Sequence, residues 1–244
     1  MSGVRAFDLT GKRILITGAS GGIGSATAEL CASLGAEVLA CDIIDPAPVV
    51  GRLRQRGSAA SGHICDVADR DAVAALQAML GDVDALVDTV GLCPFGDWES
   101  PEWDSEFDRV MDANVRGPMN LARAFMPAMI QRRSGRIVLT GSLAGHMGGL
   151  KAKAHYAASK GAVHALVRWL AQRATPHNVL VNGIAPGTTA TRMAAEGDYD
   201  PSVVPMRRFA TPEEIAGPIA FLCSPAAGYI AGAILDVNGG TYYG

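Results

Sequence analysis

Tyr156 and Lys160 stand four residues apart in Tyr156-Ala157-Ala158-Ser159-Lys160, and Ser142 precedes the tyrosine by fourteen. On a helix, residues i and i+4 share one face, so a phenol and an ammonium at this spacing reach the same small volume. A free phenol, with a pKa near ~10, is a poor base at neutral pH. A neighbouring ammonium favours the phenolate and is expected to lower that value. The set suits proton transfer at a carbinol or carbonyl oxygen, with the Ser142 hydroxyl orienting that oxygen.

A second group lies near the start. Thr17-Gly18-Ala19-Ser20-Gly21-Gly22-Ile23-Gly24 follows the apolar run Arg13 to Ile16 and leads into an alanine-rich helical stretch. A glycine turn between strand and helix lets backbone N–H groups approach a pyrophosphate, and the helix N-terminus adds a favourable dipole. Gly18 permits the tight turn, while Gly22 and Gly24 keep side chains away from phosphates and helix. Asp42 comes eighteen residues beyond Gly24, close to the ~20 expected of an acid that binds a ribose 2′-hydroxyl. Facing a 2′-phosphate at about 4 Å, it would cost about 1 kcal/mol in water and ~4 at an effective dielectric of 20. Neither the turn nor the residues directly after Asp42 offer an Arg or Lys. The pattern predicts NAD(H) in preference to NADP(H).

These residues need a frame, and the apolar runs supply one. Strands are expected over 14–17, 37–41, 62–65, 85–88, 136–140, 179–184 and 234–237. Helices are expected over about 23–34, 70–80, 103–114, 118–132 and 156–173. Pro46 and Pro48 read as a turn, and Gly145–Lys153 as a glycine-rich loop. Alternating strands and helices imply a single doubly wound Rossmann-type α/β domain over 1–244, a parallel sheet of about seven strands with helices on both faces. Ligands bind such sheets at the carboxyl ends of the strands, where every group named here falls. The weakly periodic stretch 188–208 reads as a flexible substrate lid.

Composition narrows the function classes. Charged residues make up 18% of 244 and the net charge is −3, with no basic block, so nucleic acid is not an expected partner. No run is long and apolar enough to span a membrane, and the first residues lack a signal core. Five scattered cysteines read as reduced thiols of a cytoplasmic protein. The five histidines lack ligand spacing, and no metal is expected.

Taken together, these motifs resemble the short-chain dehydrogenase/reductase family, from about residue 9 to Gly239-Gly240. The resemblance implies further roles. Lys160 also holds the nicotinamide ribose. Asn114, in Asp112-Ala113-Asn114-Val115, distorts its helix and holds a water linking Lys160 to solvent. Asp66-Val67 meets the adenine amino group. Gly91 allows close backbone approach, and Pro186, Gly187, Thr188 and Thr191, with Ile184, bind the carboxamide. Two departures stand out. Asp88-Thr89-Val90 replaces the family's Asn-Asn-Ala, removing an amide that braces the sheet and placing cofactor affinity in question. The Ser142–Tyr156 interval is one residue longer than the usual thirteen, an insertion assigned to the loop before Tyr156. Low charge and the resemblance imply a homotetramer or a homodimer.

The implied reaction is NAD-dependent hydride transfer between a secondary alcohol and a ketone. Tyr156 is the general acid/base, with Lys160, Ser142 and Asn114 in support. Candidate substrate contacts are Phe95, Trp98, Leu143, His146 and Met193, with Cys93, Leu150, His155 and Tyr199 as further wall residues. They leave a small polyol or sugar, a cyclic or aryl alcohol, and a β-hydroxyacyl thioester unranked. The rival readings are an NAD(H)-binding sensor or scaffold with little catalysis, and a β-ketoacyl thioester reductase, against which Asp42 weighs. An epimerase or dehydratase would need a longer C-terminal substrate domain.

Overall fold

The computed structural model describes residues 6–96, 98–149 and 151–244. The first half runs β1 (Arg13–Thr17), α1 (Gly22–Ser33), β2 (Glu37–Asp42), α2 (Ala47–Gln55), β3 (Ala60–Ile64), α3 (Arg70–Leu80) and β4 (Ala85–Asp88). Then come α4 (Trp103–Met111), α5 (Gly117–Arg132), β5 (Gly135–Thr140), α6 (Ala144–Met147) and α7 (Ala154–Ala174). The chain closes with β6 (Val179–Pro186), α8 (Arg192–Glu196), α9 (Pro212–Cys223) and β7 (Ile234–Val237).

All seven strands are parallel, in the order β3-β2-β1-β4-β5-β6-β7. Strand order reverses between β1 and β4, which opens a crevice at their carboxyl ends. Side chains alternate across the sheet, so each strand feeds two cores. Leu15, Leu39, Leu86 and Ile137 pack with α3, α5 and α7 on one face. Ile14, Ile16, Val38 and Val87 pack with α1, α2 and α9 on the other. Burial on both faces is why these strands read as continuous apolar runs.

Three local expectations need correction. The Pro46–Pro48 turn leads straight into α2, because Pro48 sits in the first helical turn, where a missing N–H costs nothing. The glycine-rich loop contains α6, which ends where Gly148 and Gly149 take φ of 89° and 76°. The helix expected to reach Asn114 stops at Met111, and Asp112–Arg116 form a wide turn closed by the Gly117 N–H on the Asp112 carbonyl. Buried Asn114 lies in it, so the helix distortion implied by the family resemblance is present. α9 begins at a Thr211/Glu214 capping box, a start signal readable as Thr-x-x-Glu in the sequence.

Candidate active site

A cleft opens at the carboxyl ends of β1, β4, β5 and β6. Ser142, Leu143, Tyr156 and Lys160 line it together with Ile23, Gly91, Phe95, Pro186, Gly187, Thr188, Thr191 and Met193. Ser142 follows β5, and its hydroxyl accepts from the Ala144 N–H at 3.1 Å and hydrogen-bonds the Tyr156 hydroxyl. Its own N–H points at His164 Nε2, 3.4 Å away. α7 carries Tyr156 and Lys160 on one face, and Lys160 Nζ lies 5.8 Å from the tyrosine ring centroid. That ammonium donates to the Thr140 carbonyl at 2.9 Å.

Burial sets the acid–base character of the pair, and one expectation is revised. The Tyr156 ring keeps some exposure along the cleft, but its hydroxyl is enclosed. That burial pushes the phenol pKa well above its usual value, against the lowering effect of Ser142. Lys160 does not reverse this. Its own pKa falls to about 8 through burial, with Asp88 and Cys93 acting in the opposite sense. Burial thus favours the protonated form of the phenol.

Asn114 works through the backbone. Its Oδ1 accepts from the Leu92 N–H at 2.8 Å, while Nδ2 donates to the Leu92 carbonyl and to Ser159 Oγ, both at 3.0 Å. Ser159 Oγ donates in turn to the Tyr156 carbonyl at 2.7 Å. The stretch after β4 is thus tied to α7 beside the acid. Ser159, Thr140 and His164 are supports that the motif pattern does not announce. The first precedes Lys160 and the last lies four residues beyond it, so position alone marks both as neighbours.

The glycine turn fits a pyrophosphate. Gly18 has φ of 70°, and a Cβ there would lie 2.9 Å from Thr89. A Cβ on Gly24 would fall 2.1 Å from the Gly18 carbonyl, and one on Gly22 would meet Thr191 at 2.7 Å. Beside them the Ser20 hydroxyl is buried without a partner, an orphan that a phosphate oxygen would satisfy. Asp42 closes the turn, accepting from the Ser20 N–H at 2.9 Å and the Ile44 N–H at 3.3 Å. Asp66 is exposed after β3 and accepts from the Ala68 N–H, whereas Asp69 caps α3. Val67 is buried against Gly117, and its carbonyl accepts from Asn120 Nδ2 at 3.1 Å.

The departure at Asp88-Thr89 is braced in another way. Thr17 Oγ1 donates to Asp88 Oδ1 at 2.6 Å, Thr89 Oγ1 to the Thr17 carbonyl at 2.7 Å, and Thr140 Oγ1 to the Asp88 carbonyl at 2.7 Å. Hydroxyls link β1, β4 and β5 where an amide was expected. Burial raises the Asp88 pKa, opposed by the Thr17 and Val90 donors and by the Lys160 charge.

Several expected contacts point elsewhere. Trp98 is largely exposed and lies against Trp103, with ring centroids 4.5 Å apart. His146 stacks on Tyr242 at 4.8 Å and lies tilted against His164 at 4.3 Å, with Asp236 3.4 Å away, outside the cleft lining. His155 is buried edge-on to Trp103. Ile184 is interior core, its carbonyl taken by the Gly141 N–H. Leu150 lies outside the described residues. Cys93 and Tyr199 do face the cleft, joined by Met147 and Ala152. Among the described residues, no group of three or more His, Cys, Asp or Glu could hold a metal, and no helix is long and apolar enough to cross a membrane.

A seven-stranded parallel sheet with this crevice, turn and Ser–Tyr–Lys wall defines a dinucleotide-fold oxidoreductase, and the chain belongs to the short-chain dehydrogenase/reductase family. A family model described as enoyl-(acyl carrier protein) reductase matches residues 18–242. Oxidoreductase UcpA of Salmonella typhimurium is 35% identical over 252 residues, covering 96% of this chain and 95% of its own. A putative NAD(P)-dependent gluconate 5-dehydrogenase from Beutenbergia cavernae, solved with NADP at low occupancy, superposes with a TM-score of 0.90. It is 35% identical and covers 97% of this chain and 98% of its own. A 3-oxoacyl-[acyl-carrier protein] reductase from Brucella melitensis, solved with NAD, also gives 0.90, at 32% identity over 99% and 95% of the two chains.

Proposed function

We propose that this family member is an NAD(H)-dependent oxidoreductase interconverting a secondary alcohol and a ketone. The observation that carries the reading is the meeting of Ser142, Tyr156 and Lys160 in one cleft with Gly91, Thr188 and Thr191. A nicotinamide dinucleotide supplies or accepts the hydride when bound. Tyr156, held by Ser142 and kept protonated by burial, gives its proton to the ketone oxygen, and takes it back from the carbinol in oxidation. Lys160, brought to about 8, adds positive charge on the same helix face, can exchange a proton near working pH, and holds the nicotinamide ribose. Asn114 steadies the backbone beside them.

The preference for NAD(H) rests on Asp42, whose two carboxylate oxygens occupy the turn. Ile43 and Ile44 follow it, exposed and uncharged. Arg52 is engaged by Glu29 and Ser25. The likeness to a 3-oxoacyl reductase solved with NAD supports a β-ketoacyl thioester reductase as the second reading. The test is Tyr156→Phe. Turnover should fall at least ~10²-fold, the low end for acid–base catalysis, with NADH binding unchanged by fluorescence titration. Retained turnover would sink the assignment.

The same reading extends to assembly and location. Apolar Phe107, Met119 and Trp169 are exposed on α4, α5 and α7, which supports a homotetramer of 25.3 kDa chains. A monomeric sedimentation mass would count against it. Five buried, unpaired cysteines support a cytoplasmic protein, which a titration of fewer than five thiols in protein taken from cells would contradict.

A further inference from the structure

The substrate end of the cleft is unusual for what it lacks. Among the described residues that line the cleft, Lys160 carries the one ionisable amine, and there is no carboxylate, guanidinium, imidazole or side-chain amide. Lys160 gives one N–H to the Thr140 carbonyl, and its remaining donors serve the nicotinamide ribose under the proposed function. Ser142 and Tyr156 serve the reacting oxygen, and the Thr89, Thr140, Thr189 and Thr191 hydroxyls are given to backbone carbonyls; with Thr188 at the end assigned to the cofactor, this leaves the Tyr199 hydroxyl and the Cys93 thiol. Burial pushes both up to about 12, so neither carries charge at working pH.

Cations on the bordering segments lie outside the cleft lining. Lys153 is buried against Glu106. Lys151 donates to the Asp198 carbonyl and sits over the Tyr199 ring, 5.8 Å from its centroid. Arg192, beside Met193, lies 3.5 Å from Glu196 on the exposed side of α8. What faces the substrate is apolar and soft. Phe95 meets Tyr199 edge-on, with centroids 5.9 Å apart, and Met147 and Met193 complete the wall. Thioethers and ring edges of this kind suit an apolar ring better than a hydrated chain.

We infer that the substrate is a neutral ring-bearing secondary carbinol or its ketone, cyclic or aryl, with no charge and at most one further polar atom. This substrate class presupposes the proposed reaction. A carboxylate here would be buried without a partner, and each surplus hydroxyl of a polyol would lose its water bonds without replacement. This separates the protein from a sugar-acid dehydrogenase despite its likeness to one.

The test uses the intact enzyme with NAD and two matched pairs: 1-phenylethanol against mandelate, and cyclohexanol against inositol. In each pair the neutral, less hydroxylated member should have kcat/KM at least ~100-fold higher, as expected for an unpaired buried carboxylate or several stranded hydroxyls. Equal or better turnover of mandelate or inositol overturns the inference, and if Tyr156→Phe abolishes that turnover the proposed reaction still stands. Conversely, oxidation of 1-phenylethanol that survives Tyr156→Phe overturns the role given to Tyr156 and leaves the substrate class intact. Silence on all four alcohols with NADH bound overturns both. Met147→Lys adds an ammonium at the wall and should narrow the phenylethanol-to-mandelate ratio at least ~10-fold. A ratio that stays unchanged means the missing cation is not what selects.

Discussion

At the glycine turn, Gly18, Gly22 and Gly24 are closed in by Thr89 and Thr191 at distances that leave no space for a methyl group. At the other end of the cleft, Phe95, Met147, Met193 and Tyr199 line the wall from connecting segments, α6 and α8, with Phe95 edge-on to Tyr199. The first region is specified by backbone conformation and hydrogen bonds, the second by side-chain bulk and the absence of charge. A site assembled this way fixes the hydride chemistry in its framework and leaves the choice of substrate to residues that can change without disturbing it.

The sharpest way to break that contrast is a methyl group at each region. Gly24→Ala drives a Cβ to 2.1 Å from a backbone carbonyl, so the turn must shift. We expect a stability loss of at least about 1–3 kcal/mol, several degrees in Tm, and loss of NADH binding. Met193→Ala at the rim should leave NADH affinity unchanged and move Tm less. Calorimetry with cofactor titration reads both, and equal losses would erase the distinction.

Asp42→Ala tests the turn more gently. Removing the carboxylate relieves repulsion of a 2′-phosphate, so the ratio of NADP to NAD affinities should rise roughly 5-fold to 10³-fold, the range set by ~1 to ~4 kcal/mol. An unchanged ratio would mean the carboxylate does not discriminate.

The smallest effect concerns Asp88, which lies between the two regions. Alcohol oxidation must release a proton, so its rate should rise as pH passes through the Lys160 value of about 8. The Asp88 charge holds that value up, and Asp88→Asn should therefore move the limb of the pH–rate profile to lower pH. An unmoved limb would show that Asp88 keeps its own proton, the direction in which burial pushes it.

Much of the framework is legible in the amino-acid sequence alone. β4 and β7 begin and end where the runs Ala85–Asp88 and Ile234–Val237 place them, β4 buried along its whole length and β7 only partly buried at the sheet edge. The glycine turn and the Tyr156–Lys160 pair are equally legible, since each depends on local spacing. Destinations of side chains are not. His146 and Trp98 lie near the cleft in sequence, yet ring contacts with Tyr242 and Trp103 turn them away. Nor can spacing tell that burial is the largest influence on the Tyr156 proton affinity, because desolvation depends on everything that surrounds the hydroxyl. The hydroxyl brace around Asp88 is hidden for a related reason: Thr17, Thr89 and Thr140 are far apart in the chain and meet through strand register.

The wide turn at Asp112–Arg116 has a consequence for how the two helices it joins are phased. An α-helix advances ~100° per residue, so one additional residue in a turn rotates everything downstream by that angle without breaking the rod. Before the slip, α4 presents Trp103 and Glu106 to His155 and Lys153 at the start of α7. After it, α5 presents Leu121, Phe125 and Met129 to the sheet. The stretch from Trp103 to Arg132 thus serves two sets of contacts with a change of phase between them, and Asn114 stands where the phase is reset.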